Sequence, residues 1–155
     1  MSDGPVRILL VEDDPNDVRL TMHALSKHNL ANEIVLARDG AEALEKIFGR
    51  DAGGGPTPNA PDIVLLDLKL PRVNGMEVLR RIKGDPRTRT IPVVVLTSSQ
   101  EERDIVASYQ LGVNSYIVKP VDFESFAQSM VTLGLYWLLL NRPPIRETER
   151  ENDQA

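Results

Sequence analysis

Short runs of consecutive apolar residues alternate along this chain with stretches in which apolar residues return every three or four positions. The runs fall at residues 6–11 (Val-Arg-Ile-Leu-Leu-Val), 34–37, 63–66, 93–96 and 116–118. β-Branched residues and leucines dominate them with little polar alternation, which predicts strands covered on both faces and therefore a parallel sheet. Helical spacing separates them: Val18, Thr21, Met22 and Leu25 in one segment, then Ala41, Leu44, Glu45 and Phe48. A weaker segment has Met76, Leu79, Arg80 and Lys83 after Asn74-Gly75. In the last helix, predicted over residues 122–140, Phe123, Phe126, Met130, Leu133 and Trp137 form one apolar stripe. Val131, Leu135, Leu138 and Leu139 form another. The resulting (βα)5 order predicts an α/β fold: a doubly wound, five-stranded parallel sheet with right-handed crossovers and helices on both faces.

Composition narrows the function classes. The chain has 155 residues, 41% of them hydrophobic and 26% charged, enough for one domain with a real core. Residues 1–140 form that domain in this reading. Residues 141–155, which open Asn-Arg-Pro-Pro and then turn charged, form a disordered tail or an arm. Residues 50–61, with three Gly and three Pro, read as a mobile surface loop. Without cysteine there are no disulfides, thiolate metal sites or cysteine nucleophiles. A net charge of −5 argues against nucleic-acid binding, which needs a basic footprint. The beginning of the chain has no signal-peptide pattern, and the most apolar stretch, 133–140, is too short to span a membrane. The expectation is a cytoplasmic protein with no membrane contact.

Chemistry concentrates where the predicted strands end. Glu12-Asp13-Asp14-Pro15 follows the first, Asp67-Leu68-Lys69-Leu70-Pro71 the third, Thr97-Ser98-Ser99 the fourth and Lys119-Pro120 the fifth. In a doubly wound sheet these carboxyl ends are where ligands bind. Asp14 before Pro15 suits a helix cap, and Ser99 before Glu101 and Glu102 another. Glu12, Asp13 and Asp67 are different, because adjacent carboxylates repel unless protonated or bound to a cation. Oxygen-only ligands favour Mg²⁺ over zinc.

These residues resemble the receiver domain of two-component response regulators over residues 6 to about 140. The match rests on Glu12-Asp13, on Asp67 within Asp62-Ile63-Val64-Leu65-Leu66-Asp67-Leu68-Lys69-Leu70-Pro71, on Gly75, on Thr97 and on Lys119-Pro120, each after the appropriate strand. The resemblance implies a flavodoxin-like, CheY-like stand-alone receiver. In it Asp67 is the phosphoacceptor, Glu12, Asp13, Asp67 and the Lys69 backbone carbonyl hold Mg²⁺, and Lys119 contacts the phosphoryl group. Thr97 is the switch hydroxyl, aided by the Ser98 amide, Tyr116 is the aromatic switch residue, and the Lys119-Pro120 bond is cis. Glu12 stands where aspartate is more frequent. Lys69 and Ser99 flank the route of attacking water.

The chemistry is consistent: a carboxylate can accept a phosphoryl group as nucleophile, and catalysis needs mainly positioning and charge neutralisation. The implied donor is a sensor histidine kinase or a histidine phosphotransfer protein. The Glu-Asp-Asp-Pro start, the Gly/Pro loop and the Tyr-Trp-Leu-Leu-Leu-Asn-Arg-Pro-Pro ending are similar to regulators paired with bacterial phytochrome kinases. The output is a protein-binding switch, a phosphorelay intermediate or a phosphate sink. An alternative is a Mg²⁺-dependent phosphatase of the haloacid-dehalogenase type, which needs an acid where Lys69 stands. His23 and His28, five apart, lack metal-pair spacing and read as surface residues. Gly53-Gly54-Gly55 is not a phosphate cradle, and Arg80, Arg81, Lys83, Arg87 and Arg89 read as a solvated face. The apolar surplus of the last helix, extended by Ile105 and Tyr109, predicts a two-fold homodimer through the fourth helix, fifth strand and fifth helix.

Overall fold

The computed structural model describes residues 7–26, 33–49, 60–70 and 73–135. Residues 50–59 of the Gly/Pro loop, His28, Pro71, Trp137 and the 141–155 tail lie outside the described residues. Strands and helices alternate as β1 (Arg7–Val11), α1 (Pro15–Ser26), β2 (Glu33–Ala37), α2 (Gly40–Phe48), β3 (Ile63–Asp67), α3 (Gly75–Gly84), β4 (Val93–Thr97), α4 (Gln100–Ser108), β5 (Ser115–Val118) and α5 (Phe123–Thr132). All strand pairs are parallel, in the order β2-β1-β3-β4-β5. The predicted doubly wound sheet is therefore present.

Strand pleating divides the core in two, because successive side chains point to opposite faces. Leu9, Val11, Val64, Leu66, Val93 and Val95 pack with Ile47 of α2, Val78 and Leu79 of α3 and Val106 of α4. Ile8, Leu10, Ile63, Leu65, Val94 and Leu96 pack with Leu25 of α1 and with Phe126 and Met130 of α5. Burying each such side chain stabilises the fold by roughly 1.5–3 kcal/mol. The expectation of burial on both faces holds for β1, β3 and β4. It fails at the edges: β2 is half-buried over Glu33 to Leu36, and in β5 only Ile117 is buried. An edge strand has one neighbour instead of two, so its rim stays open.

Side-chain caps set where the helices begin. Asp14 accepts from the Asn16 and Asp17 N–H groups (2.8 and 3.3 Å), and Ser99 Oγ accepts from Glu102 N–H (3.1 Å), both as expected. Asp39, Asn74 and Asp122 cap α2, α3 and α5 in the same way.

The last helix corrects the sequence reading. It stops at Thr132 rather than running to residue 140. Gly134 adopts a left-handed φ of 75°, its N–H donates to the Val131 carbonyl, and Leu135 N–H donates to Met130 (2.8 Å). That pair of bonds is a Schellman stop, which glycine alone enters without steric cost. Leu135 then folds back onto the Phe126–Met130 core instead of continuing an outer stripe. Residues 136–140 lie outside the described residues.

Candidate functional site

Strand order reverses at β1, which has β2 on one side and β3 on the other, so the carboxyl ends of β1 and β3 border the crevice where such sheets take ligands. The ladder runs on past the strands there. Glu12 N–H donates to the Ala37 carbonyl (3.0 Å) and Lys119 N–H to that of Thr97 (2.8 Å). These bonds fix the backbone of both residues, while Asp67 and Thr97 are the last residues of β3 and β4.

Glu12, Asp13 and Asp67 each bring a carboxylate oxygen within 4.8 Å of the others. Glu12 and Asp67 are 1% and 4% exposed, whereas Asp13 is open to solvent. Lys119 reaches into this negative charge. Its Nζ lies 2.8 Å from Glu12 Oε1, 3.0 Å from Asp17 Oδ2 and 3.1 Å from Asp67 Oδ2. Burial pushes the Glu12 carboxyl up to about 7; Lys119 opposes that shift and the neighbouring Asp67 adds to it. Burial alone would weaken the Lys119 ammonium, but Glu12 and Asp17, with the charge of Asp67, outweigh it and raise its pKa. One lysine thus faces more negative charge than it can neutralise.

Two buried side-chain atoms here have no hydrogen-bond partner: Glu12 Oε1, in charge contact with Lys119 but not aligned for a bond, and Thr97 Oγ1. A buried hydroxyl without a partner, beside a carboxylate cluster that one lysine does not neutralise, suits an oxyanion and a cation. All the metal-capable donors are oxygens, which suits a hard dication.

The sequence-predicted residues fall into place unequally. Glu12, Asp13, Asp67 and Lys119 come together, with Thr97 at the next strand end. The Lys119-Pro120 bond is cis. Gly75 has a steric reason: a Cβ there would lie 2.5 Å from the Asp67 carbonyl oxygen. Lys69 N–H donates to Asp67 Oδ1 (3.3 Å), and its exposed ammonium turns outward to Glu102 (3.5 Å). Tyr116, in mid-β5, is half-buried beneath the Arg103 guanidinium, 5.3 Å from the ring centre.

Asp17 and Glu102 were not anticipated as site residues. Asp17 reads as an ordinary first-turn acid of α1 and Glu102 as one of α4. Nothing local signals that the first meets Lys119, 102 residues away. Glu102 spends one oxygen on Ser98 N–H (3.2 Å) and the other on Lys69. His23 is exposed, as expected, and Lys83 caps the Arg89 and Ile91 carbonyls instead of lying free in solvent.

The response regulator receiver domain model matches residues 8–130. The chain belongs to the response regulator receiver domain family. A solved structure of the bacteriophytochrome response regulator AtBRR is 52% identical, covers 90% of this chain and 99% of its own, and superposes with a TM-score of 0.78. The Mn²⁺-bound form of response regulator Rcp1 from Synechocystis is 37% identical with a TM-score of 0.66, over 91% of this receiver and 100% of that chain. A probable methanogenesis regulatory protein, FilR2 of Methanothrix harundinacea, is 41% identical over 92% of this chain and 90% of its own.

Receiver domains are phosphorylated on aspartate and bind a divalent metal, and this one has the acidic cluster for it. The phosphatase alternative is not supported. Family membership opposes it, and the position two past Asp67 holds an ammonium where that mechanism needs a carboxylic acid. Among the described residues no helix is long and apolar enough to cross a membrane.

Proposed function

We propose that this receiver is a single-domain, cytoplasmic signalling switch whose phosphoacceptor is Asp67, with the domain spanning residues 1–140 and the 141–155 tail as an appendage. The reading is carried by the Lys119 ammonium, 3.1 Å from the buried Asp67 carboxylate at the edge of the Glu12–Asp13 cluster. An Asp67 oxygen attacks the phosphorus of a phosphohistidine. The new P–O bond forms as the P–N bond breaks, and the departing imidazole nitrogen takes up a proton. Lys119 neutralises charge at the phosphoryl oxygens, and Thr97 Oγ1, buried and without a partner, donates to one of them alongside Ser98 N–H. Glu12, Asp13, Asp67 and the Lys69 carbonyl would hold Mg²⁺, which supplies further charge neutralisation when bound. Motion of Thr97 toward the phosphoryl group frees space for Tyr116 to turn inward, linking the chemistry to the α4-β5-α5 face.

The similarity to AtBRR and Rcp1 supports a bacteriophytochrome-type histidine kinase as donor, or a histidine phosphotransfer protein between the two. Acetyl phosphate with Mg²⁺ should add one phosphoryl group, seen by intact mass, and Asp67→Asn should abolish it. Label retained in Asp67→Asn overturns the assignment. Phosphotransfer profiling against the histidine kinases of the source organism then identifies the donor.

The same reading includes a homodimer. Ile105, Val118 and Val131 are exposed on α4, β5 and α5, with exposed Tyr109 capping the end of α4, and Val118 lines a groove of about 320 Å³ together with Tyr116, Arg103 and Gln128. Light scattering should give twice the 17.2 kDa chain mass. Ile105→Glu with Val131→Glu should return it to monomer; Leu135 is unsuitable for this test because it packs inward.

A further inference from the structure

Lys119 has three ammonium donors and three carboxylates around it, but those carboxylates are not equivalent. Glu12 and Asp67 belong to the metal-capable cluster with Asp13; Asp17 does not. A dication gathered by the cluster therefore draws on two of the lysine's partners and leaves the third. Asp17 is well built for the part. Its own N–H is held by the Asp14 cap (3.3 Å), so the side chain projects from a fixed helix start, and it accepts a 3.0 Å hydrogen bond from Lys119 across 102 residues of sequence. At the other end of the lysine, the backbone is tied to Thr97. The stem is fixed at both ends, and of the ammonium's three acid partners only Asp17 lies outside the metal-capable cluster.

We propose that Asp17 is a positioning residue of the phosphorylation site, giving the Lys119 ammonium, which touches all three acids, one partner outside the cluster to keep when a dication takes Glu12 and Asp67. This rests on the reading of Glu12, Asp13 and Asp67 as the metal cluster. Without Asp17, the ammonium's remaining partners are the two carboxylates the metal needs. The ammonium then has no acid partner to retain when a dication takes those oxygens.

The consequence is a coupling that can be measured without phosphorylation. By calorimetric titration with Mg²⁺, Asp17→Asn should weaken binding by about threefold to fivefold, the size of a partly exposed charge pair. Asp17→Glu, which keeps the acceptor on a longer stem, should recover at least half of that loss. In a Lys119→Gln background the Asp17→Asn effect should disappear, because no ammonium remains to be held. An acid that acted only by adding negative charge, or only by supporting α1, would lower affinity equally in both backgrounds, and that result overturns the proposal. So does wild-type affinity in Asp17→Asn, and so does a wild type that binds no Mg²⁺. Acetyl phosphate labelling of the same variants tells this failure from that of the underlying reading. Label retained in Asp67→Asn removes the phosphoacceptor, whereas normal Asp67 labelling with an unaltered Mg²⁺ cycle removes only the role of Asp17.

Discussion

Among the described residues at the amino-terminal edge of the sheet, Arg7, Asp62, Lys83, Asp85 and Arg87 find polar partners. Arg7 N–H donates to Asp62 Oδ2 while Asp62 N–H donates to the Arg7 carbonyl, both at 2.8 Å. Arg87 grips Asp85 at 2.8 Å and, by hydrogen bonding, holds its carboxyl down to about 2. Lys83 closes on two backbone carbonyls. The carboxyl-terminal edge, built from the same five strands, keeps three carboxylates within 4.8 Å, a glutamate pushed toward neutrality and a buried hydroxyl with no partner. The strands support both edges equally, so the contrast is chemical. Among the described residues, the first edge is closed by the chain's own groups, while the second keeps charge and a hydroxyl that suit a cation and an oxyanion.

Glu12 provides the strongest way to break this contrast. Its folded pKa, about 7, lies above the ordinary value of 4.5, so the folded state prefers it protonated. Its stability contribution is present below about pH 4.5 and is lost as pH rises through 7. In EDTA at pH 8, Glu12→Gln should be more stable than wild type by roughly 3 kcal/mol, since a pKa unit corresponds to 1.36 kcal/mol. The advantage should vanish below pH 4.5. Urea unfolding at pH 8 and at pH 4 checks it; a glutamine variant no more stable at pH 8 would show that the carboxyl edge is already balanced by Lys119.

Two threonines sharpen the comparison at about half that scale. Thr88 and Thr97 are both fully buried. The Thr88 hydroxyl donates to the Ile82 carbonyl (2.7 Å), whereas the Thr97 hydroxyl has no partner. Valine matches threonine in shape and removes the hydroxyl. Thr88→Val should cost roughly 1–2 kcal/mol by stranding the Ile82 carbonyl. Thr97→Val should be neutral or slightly stabilising, yet insensitive to phosphorylation in partner binding. Equal destabilisation of the two would mean that Thr97 has a structural bond after all.

The parts of the molecule that could be read from sequence are those whose cause is local. Ile63–Leu66 and Val93–Leu96 announce themselves as central strands because burial on both faces leaves no place for a polar residue. Asp14 and Ser99 announce caps because the N–H groups they satisfy are two or three positions away. Glu12, Asp13, Asp67 and Lys119 were legible because an acid or ammonium directly after an apolar strand has to emerge at the sheet edge. Asp17 and Glu102 were not, because each looks like a routine first-turn acid and its distant partner depends on tertiary placement. The overlong last helix has another cause. Apolar spacing around Leu133 and Leu135 continues through Gly134, and periodicity alone does not register a glycine turning left-handed to end a helix.

The smallest predicted effect lies where the finished and unfinished chemistry meet. Glu102 joins the loops after β3 and β4, one oxygen on Ser98 N–H at 3.2 Å and the other on Lys69 at 3.5 Å. The Lys69 side chain is 73% exposed, so its share is worth at most a few tenths of a kcal/mol and fades with salt. The Ser98 bond matters more, because it ties down an amide proposed to serve a phosphoryl oxygen. Glu102→Gln keeps an acceptor for that amide and gives up only the charge, so it should lose about 0.3 kcal/mol or less. Glu102→Ala should lose about 0.5–1 kcal/mol and speed hydrogen exchange at Ser98. In the phosphorylated protein, Ser98 N–H gains another acceptor, so the Glu102→Ala effect on exchange should shrink. If exchange at Ser98 is the same in wild type and Glu102→Ala before phosphorylation, the glutamate is not holding the amide, and the β4–α4 loop is set by the Ser99 cap alone.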